Sequence, residues 1–237
     1  MSFDVGEIID YRQMCELENA SLQRGMYYRL ASSRSVVLMS VRSGAPYDDE
    51  IQDDGQVLIY EGHDVPRSAS NPRPKLKDQQ LKTSSGTLTE NGHFYEAAEQ
   101  FKKGQQPAEV VRVYEKIKSG IWSFAGTFEL LDAWPQNDGQ RRVYKFKLKL
   151  VDSFDPADSM KRKPSDLDDL AHNRIIPQWV KIAVWKRDKG KCVECGSKDN
   201  LHFDHIIPFS KGGSSVLVEN IQLLCARHNF QKSDKLI

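Results

Sequence analysis

Residues 201–213, LHFDHIIPFSKGG, put two histidines and an aspartate within four positions and follow them with a turn-prone glycine pair. Two residue pairs flank the stretch: Cys192-Val-Glu-Cys195 before it and Cys225-Ala-Arg-His228 after it. Four soft or borderline ligands in two close pairs suit a closed, tetrahedral Zn²⁺ site with no position left for water. Cys192, Cys195, Cys225 and His228 are therefore expected to hold a structural zinc, because so short a segment has little core and gains folding energy from a metal. Between the pairs, LHFDHIIP reads as a strand, SKGGSS as a turn, and VENIQLLCARHNFQKSDK leads into a helix that carries the second ligand pair. Two strands and a helix around one zinc are expected.

That arrangement puts chemistry at the end of the first strand. Hydrolysing a phosphodiester needs a base to take a proton from water and a cation to stabilise the phosphorus centre and the leaving oxygen. An imidazole titrating near neutrality suits the first task, and a carboxylate with an amide oxygen suits a hard divalent ion that keeps most of its water. The segment from about Ile176 to Lys235 resembles an HNH endonuclease domain of the ββα-metal type. Its matches are Cys-x2-Cys, Asp-His-Ile-x-Pro, Gly-Gly, Glu-Asn-Ile-Gln-Leu-Leu-Cys and Asn-x-x-Lys. The resemblance implies His205 as general base, Asp204 and Asn229 as ligands of a catalytic Mg²⁺ or Mn²⁺, and Asn220 as the residue that braces the turn positioning His205. Lys211 and Lys232 are expected to contact phosphate. The third letter of the family name is Asn229 here, a variant found in similar proteins.

The rest of the chain bounds the context. At 237 residues the prior is two modest domains. Three of the four cysteines lie in the zinc segment and Cys15 stands alone, so a disulfide framework is not expected. No run approaches the roughly 18 apolar residues of a membrane span, and the acidic start MSFDVGEIIDYRQ lacks a signal-like apolar core, so a cytoplasmic protein without a membrane partner is expected. From Pro177 onward there are ten Lys/Arg against six Asp/Glu, leaving 24 against 27 before it; the basic end suits phosphate. Between residues 36 and 152 the runs VVLMSV, QVLIYEG, VVRVYEKI, GTFELLDAW and VYKFKLKLV read as strands, and HFYEAAEQFKK, residues 93–103, reads as a helix. The polar, proline-bearing stretch 153–175 reads as a linker, and WVKIAVWKRD as a helix opening the second domain. The fold class is α+β, with domains at 1–152 and 176–237.

The segments SGAPYDDEIQDDGQVLIYEGHDVPR and KDQQLKTSSGTLTENGHFYEAA, with the strands after them, resemble an SRA (YDG) domain over roughly residues 20–152. GTFELLDAW stands where many relatives have Tyr-Asp-Gly. The resemblance implies a twisted β-barrel that flips a modified cytosine from duplex DNA into a pocket, where aromatic faces stack on it and a carboxylate takes its Watson–Crick edge. Tyr47 and Tyr60 match the stacking tyrosines, and the acid falls at Asp49 or Glu50, since one extra residue separates the tyrosines. Glu61 replaces a threonine of many relatives, which favours a base with an extra donor such as hydroxymethyl. Arg67, Arg73 and Lys75 in the loop VPRSASNPRPKLK are expected on the DNA backbone.

The two resemblances imply an endonuclease dependent on 5-methylcytosine or 5-hydroxymethylcytosine in double-stranded DNA. One nuclease site per chain asks for a homodimer, or two visits, to cut both strands, and the linker permits a variable cutting distance. The alternatives are a non-cleaving reader of modified DNA, a nuclease indifferent to modification, and an RNA-directed nuclease.

Overall fold

The computed structural model describes residues 5–30, 34–41, 44–52, 56–69, 71–151, 176 and 178–232; the expected linker, 153–175, lies outside them. The first strand, β1 (Ile8–Asp10), runs into helix α1 (Tyr11–Glu18) through Asp10, whose carboxylate accepts the Gln13 N–H while the Gln13 side chain accepts the Asp10 N–H. Asn19, at φ +48°, ends the helix in the left-handed region. Then come β2 (Met26–Tyr27), β3 (Ser35–Met39), β4 (Glu50–Gln52) and β5 (Val57–Glu61).

Helix α2 (Glu90–Lys102) is capped by the Thr89 hydroxyl, which accepts the Gly92 N–H at 3.1 Å. Its buried Phe94, Ala97, Ala98 and Phe101 recur three and four apart, the period that gives a helix one apolar face. That face covers β6 (Glu109–Lys118), β7 (Ile121–Asn137) and β8 (Arg142–Leu150). The strands form one eight-stranded sheet in the order β2-β3-β6-β7-β8-β5-β4, with β1 added on β7. Among the described residues only β3 and β6 pair in parallel; the other pairs are antiparallel. Met26, Val37, Leu58, Phe94, Phe128 and Phe146 anchor the main core between helix and sheet.

The carboxy-terminal part is small. Helix α3 (Gln178–Arg187) precedes a two-stranded antiparallel ribbon of β9 (Leu201–His205) and β10 (Ile221–Cys225), and helix α4 (Ala226–Lys232) closes it. Two strands and a helix thus surround the cysteines. No helix among the described residues is long and apolar enough to cross a membrane.

Candidate active site and base pocket

The four expected zinc ligands converge although 36 positions separate the first from the last. Cys192 Sγ lies 3.4 Å from His228 Nδ1, Cys225 Sγ 3.4 Å from the same nitrogen, and Cys195 Sγ 3.8 Å from Cys225 Sγ. All four donor atoms fall within 4.8 Å of one another. A tetrahedron with Zn–S bonds of ~2.3 Å has edges near these lengths, so the donor set fits zinc in chemistry and in spacing.

Asp204 and His205 end β9. His205 is buried, and its Nε2 lies 2.8 Å from the Ser215 hydroxyl. Asn220 joins the two sides of the loop after His205: its Oδ1 accepts the Ile207 N–H at 2.9 Å, and its Nδ2 donates to Ser214 O at 2.9 Å and Ile207 O at 3.3 Å. Gly213 packs so tightly there that an added Cβ would stand 1.8 Å from Ile207 O. The glycine pair thus serves close backbone approach.

Asn229 sits half-buried on α4, directly after a zinc ligand and three residues before Lys232. Lys232 corrects the sequence reading. It is 2% exposed, donates to Asp204 Oδ2 at 2.5 Å and also donates to the His205 carbonyl oxygen. Buried between those acceptors it cannot grip a phosphate; it ties α4 to the end of β9. Residues three apart share a helix face, so the face that carries Lys232 to Asp204 carries Asn229 as well. Lys211 is exposed beside the loop.

In the other domain, Val41, Tyr47, Asp49, Glu61, Arg141 and Lys145 help line an open cavity of about 680 Å³. Two further corrections arise there. Tyr60 is 1% exposed, lies in the main core and meets His63 Nε2 through its hydroxyl at 3.2 Å, so it offers no face to the cavity. β5 is buried along its whole length, which takes Tyr60 inward. Glu50, the alternative to Asp49, is exposed on β4 and lines a neighbouring groove instead.

The ring beside Tyr47 is His63, at 5.6 Å between centroids and 19° from parallel. Its backbone is held from both sides by Asn91, which accepts the His63 N–H and donates to the His63 carbonyl, each at 2.8 Å. Burial lowers His63 to about 4, so it is neutral at pH 7. Sequence reading attached no role to it; a histidine two residues after a strand carries no signal without its neighbours. Lys75 stands 3.9 Å over the Tyr47 ring and 3.2 Å from Asp64, which puts it at the cavity rim, while Arg67 and Arg73 are exposed.

Charge concentrates behind Tyr47. Asp49 accepts the Ser40 N–H at 2.9 Å and the Glu61 N–H at 3.0 Å. Glu61 accepts from Lys145 at 3.2 Å and from the Asp48 N–H at 3.1 Å, with Arg141 3.7 Å away. Burial raises Asp49 to about 7 despite the two amides. The folded protein therefore holds this proton between pH 4 and 7 where the unfolded chain does not. Stability falls as pH rises through that window, by at most ~1.4 kcal/mol per unit for one proton. Asp49→Asn is expected to remove that slope, read from urea denaturation at pH 5 and pH 7; an unchanged slope would remove Asp49 as its source.

Comparison with known proteins follows the same division. A family model described as the SAD/SRA domain matches residues 2–153, and one described as HNH endonuclease matches residues 192–235. No curated protein matches. Among solved structures, the chain is similar to the SUVH5 SRA–hemimethylated CG DNA complex, at 23% identity and TM-score 0.45 over 65% of this chain and 93% of that one. It is similar to SUVH5 SRA bound to fully hydroxymethylated CG DNA at 22% and 0.44, over 65% and 93%. It is also similar to the Type IV phosphorothioation-dependent restriction endonuclease ScoMcrA, at 17% and 0.44 over 99% of this chain and 56% of that one.

Proposed function

The chain belongs to the SAD/SRA domain family and carries an HNH endonuclease domain, and from that premise we propose that it cuts DNA in response to a modified cytosine. The observation that carries the reading is the charged cavity beside Tyr47, in a chain whose other domain ends a strand with Asp204 and His205. A flipped cytosine stacks on Tyr47, and Asp49 accepts its exocyclic amine. Unstacking costs a few kcal/mol, which stacking of ~1–3 kcal/mol and the buried hydrogen bond offset. Glu61, held by Lys145 and Arg141, accepts the hydroxyl of a hydroxymethyl group, so 5-hydroxymethylcytosine is preferred over 5-methylcytosine.

At the nuclease end, Asp204 and Asn229 hold a divalent ion, Mg²⁺ or Mn²⁺; when bound, it supplies charge stabilisation to the phosphate and the leaving 3′ oxygen. His205 takes the proton of the attacking water, with Ser215 beside its Nε2. Asn220 keeps the loop closed around that imidazole, and Lys232 holds the Asp204 carboxylate in place.

The test uses three otherwise identical duplexes carrying cytosine, 5-methylcytosine or 5-hydroxymethylcytosine, with Mg²⁺ or Mn²⁺ and an EDTA control. The expected result is fastest cutting of the hydroxymethylated duplex, slower cutting of the methylated one and none with EDTA. Equal cutting of all three would remove the reader from the reading, and selective binding without cutting would remove the nuclease.

A further inference from the structure

Gly6 and Glu7, with the strand that follows them, lie between the two domains. On one edge β1 pairs with the start of β7, Ile8 opposite Ser123 and Ile9 opposite Trp122. Gly6 N–H donates to Phe124 O at 2.9 Å and Phe124 N–H donates to Glu7 O at 2.9 Å. On the other edge, Phe203 N–H donates to Gly6 O at 3.2 Å, and Glu7 forms an antiparallel bridge with His202. His202 and Phe203 belong to β9, the strand that ends in Asp204 and His205. The catalytic strand is thus hydrogen-bonded to the reader through a segment nearly 200 positions away in sequence. Gly6 makes this possible: its φ is +88°, and a Cβ there would stand 3.0 Å from the Phe203 carbonyl oxygen.

The seam continues below the backbone. Ile117 of β6 packs in one buried cluster with Val180 and Val184 of α3, Phe203 of β9, and Ile221 and Leu223 of β10. Beside it Lys181 of α3 donates to Glu115 of β6 at 2.5 Å, with the two side chains 3% and 1% exposed. A charge pair this deeply buried tolerates little displacement, because either member left without the other is an unpaired charge in the interior. A generic Gly/Ser tether of about 20 residues, by contrast, has an end-to-end spread of ~25 Å and fixes no distance.

We propose that this seam, and not the connecting segment, sets where the nuclease cuts: the phosphodiester is hydrolysed at one fixed offset from the modified base. The inference rests on the modification-dependent reading above and replaces the variable distance that the linker suggested. Gly6 and Lys181 are positioning residues; they act on the scissile position through the packing of β9 and α3.

The test maps cleavage ends at nucleotide resolution on a duplex with one modified cytosine. The full chain is compared with a chain carrying ten extra Gly/Ser residues within 153–175, with Lys181→Met, and with Lys181→Met combined with Glu115→Gln. One dominant cut position is expected for the first two chains. A spread over several positions is expected for Lys181→Met, with the need for modification retained, and a return to one position for the double variant, which leaves no unpaired charge. A broad distribution in the unaltered chain, or a position that moves with the insertion, would overturn the proposal. Hydrogen exchange at the Phe124 and Phe203 amides reads the seam without DNA. Protection that Lys181→Met lowers at least tenfold and the insertion leaves alone is expected; fast exchange in the unaltered chain would overturn the seam. Cutting that ignores modification while those amides stay protected would overturn the functional reading and leave the seam standing.

Discussion

His205→Ala is expected to slow single-turnover cleavage of a modified duplex by ~10²–10⁴-fold, the span that a positioned general base contributes, while leaving affinity for the modified duplex within about twofold. The separation follows from where the side chain sits. His205 is buried in the nuclease domain, bonded to Ser215 and tilted against the ring of Phe209 at 6.0 Å. The cavity that would hold the base is lined by other elements entirely, the segment around Tyr47 and the β7–β8 turn. The substitution removes a ring that ends a strand, so β9 keeps its pairing with β10 and the loop keeps the three Asn220 bonds. Rates at saturating enzyme and affinities by gel shift make the comparison. A variant that cuts within about threefold of the unaltered chain would assign proton transfer elsewhere, and one that loses binding as well would tie the ring to the reader.

The convergence of the four Cys/His donors and the strand that ends in Asp204 and His205 were legible in the sequence because their residues lie close together along the chain and their chemistry limits the alternatives. Cys192 and Cys195 form one ligand pair, Cys225 and His228 the other, and Asp204 and His205 are adjacent. Helix α2 was legible within three residues at its start because its buried positions keep a helical period. Tyr60 was placed by its match to the family position, and in a strand buried on both faces such a match does not mark which side a ring takes. The partner of Tyr47 was hidden because His63 is placed by Asn91, 28 positions later, and by the Tyr60 hydroxyl.

Two more features depended on tertiary contact alone. A lysine spaced like a phosphate contact is, in the fold, a buried cation on Asp204; the motif Asn-x-x-Lys carries the spacing but not the direction of the side chain. The seam is further still from any local signal. Gly6 and Phe203 are joined by one backbone hydrogen bond, and a lone glycine in a short amino-terminal stretch predicts no partner.

Cys225→Ser is expected to abolish cleavage, with zinc content falling from one ion per chain to none, while binding of modified DNA persists. Cys225 is the last residue of β10 and the residue before α4 begins, so it joins the strand that pairs with β9 to the helix that carries His228, Asn229 and Lys232. Structural zinc in comparably small units contributes ~10–16 kcal/mol of binding free energy, more than a domain of this size gains from its core. A serine hydroxyl is a poor substitute for thiolate at such a site, and the remaining three ligands lose much of that energy. Without the ion, α4 has seven residues and too little helical propensity to stand alone, so Lys232 leaves Asp204 and Asn229 leaves the helix face it shares with Lys232. The reader has its own core and does not depend on the ion. Metal analysis, helicity by circular dichroism and cleavage with Mg²⁺ before and after added Zn²⁺ make the measurement. Full cleavage by a zinc-free Cys225→Ser chain would mean that the seam with β1 and β6 suffices to hold the nuclease fold, and that the four converging donors are dispensable to it.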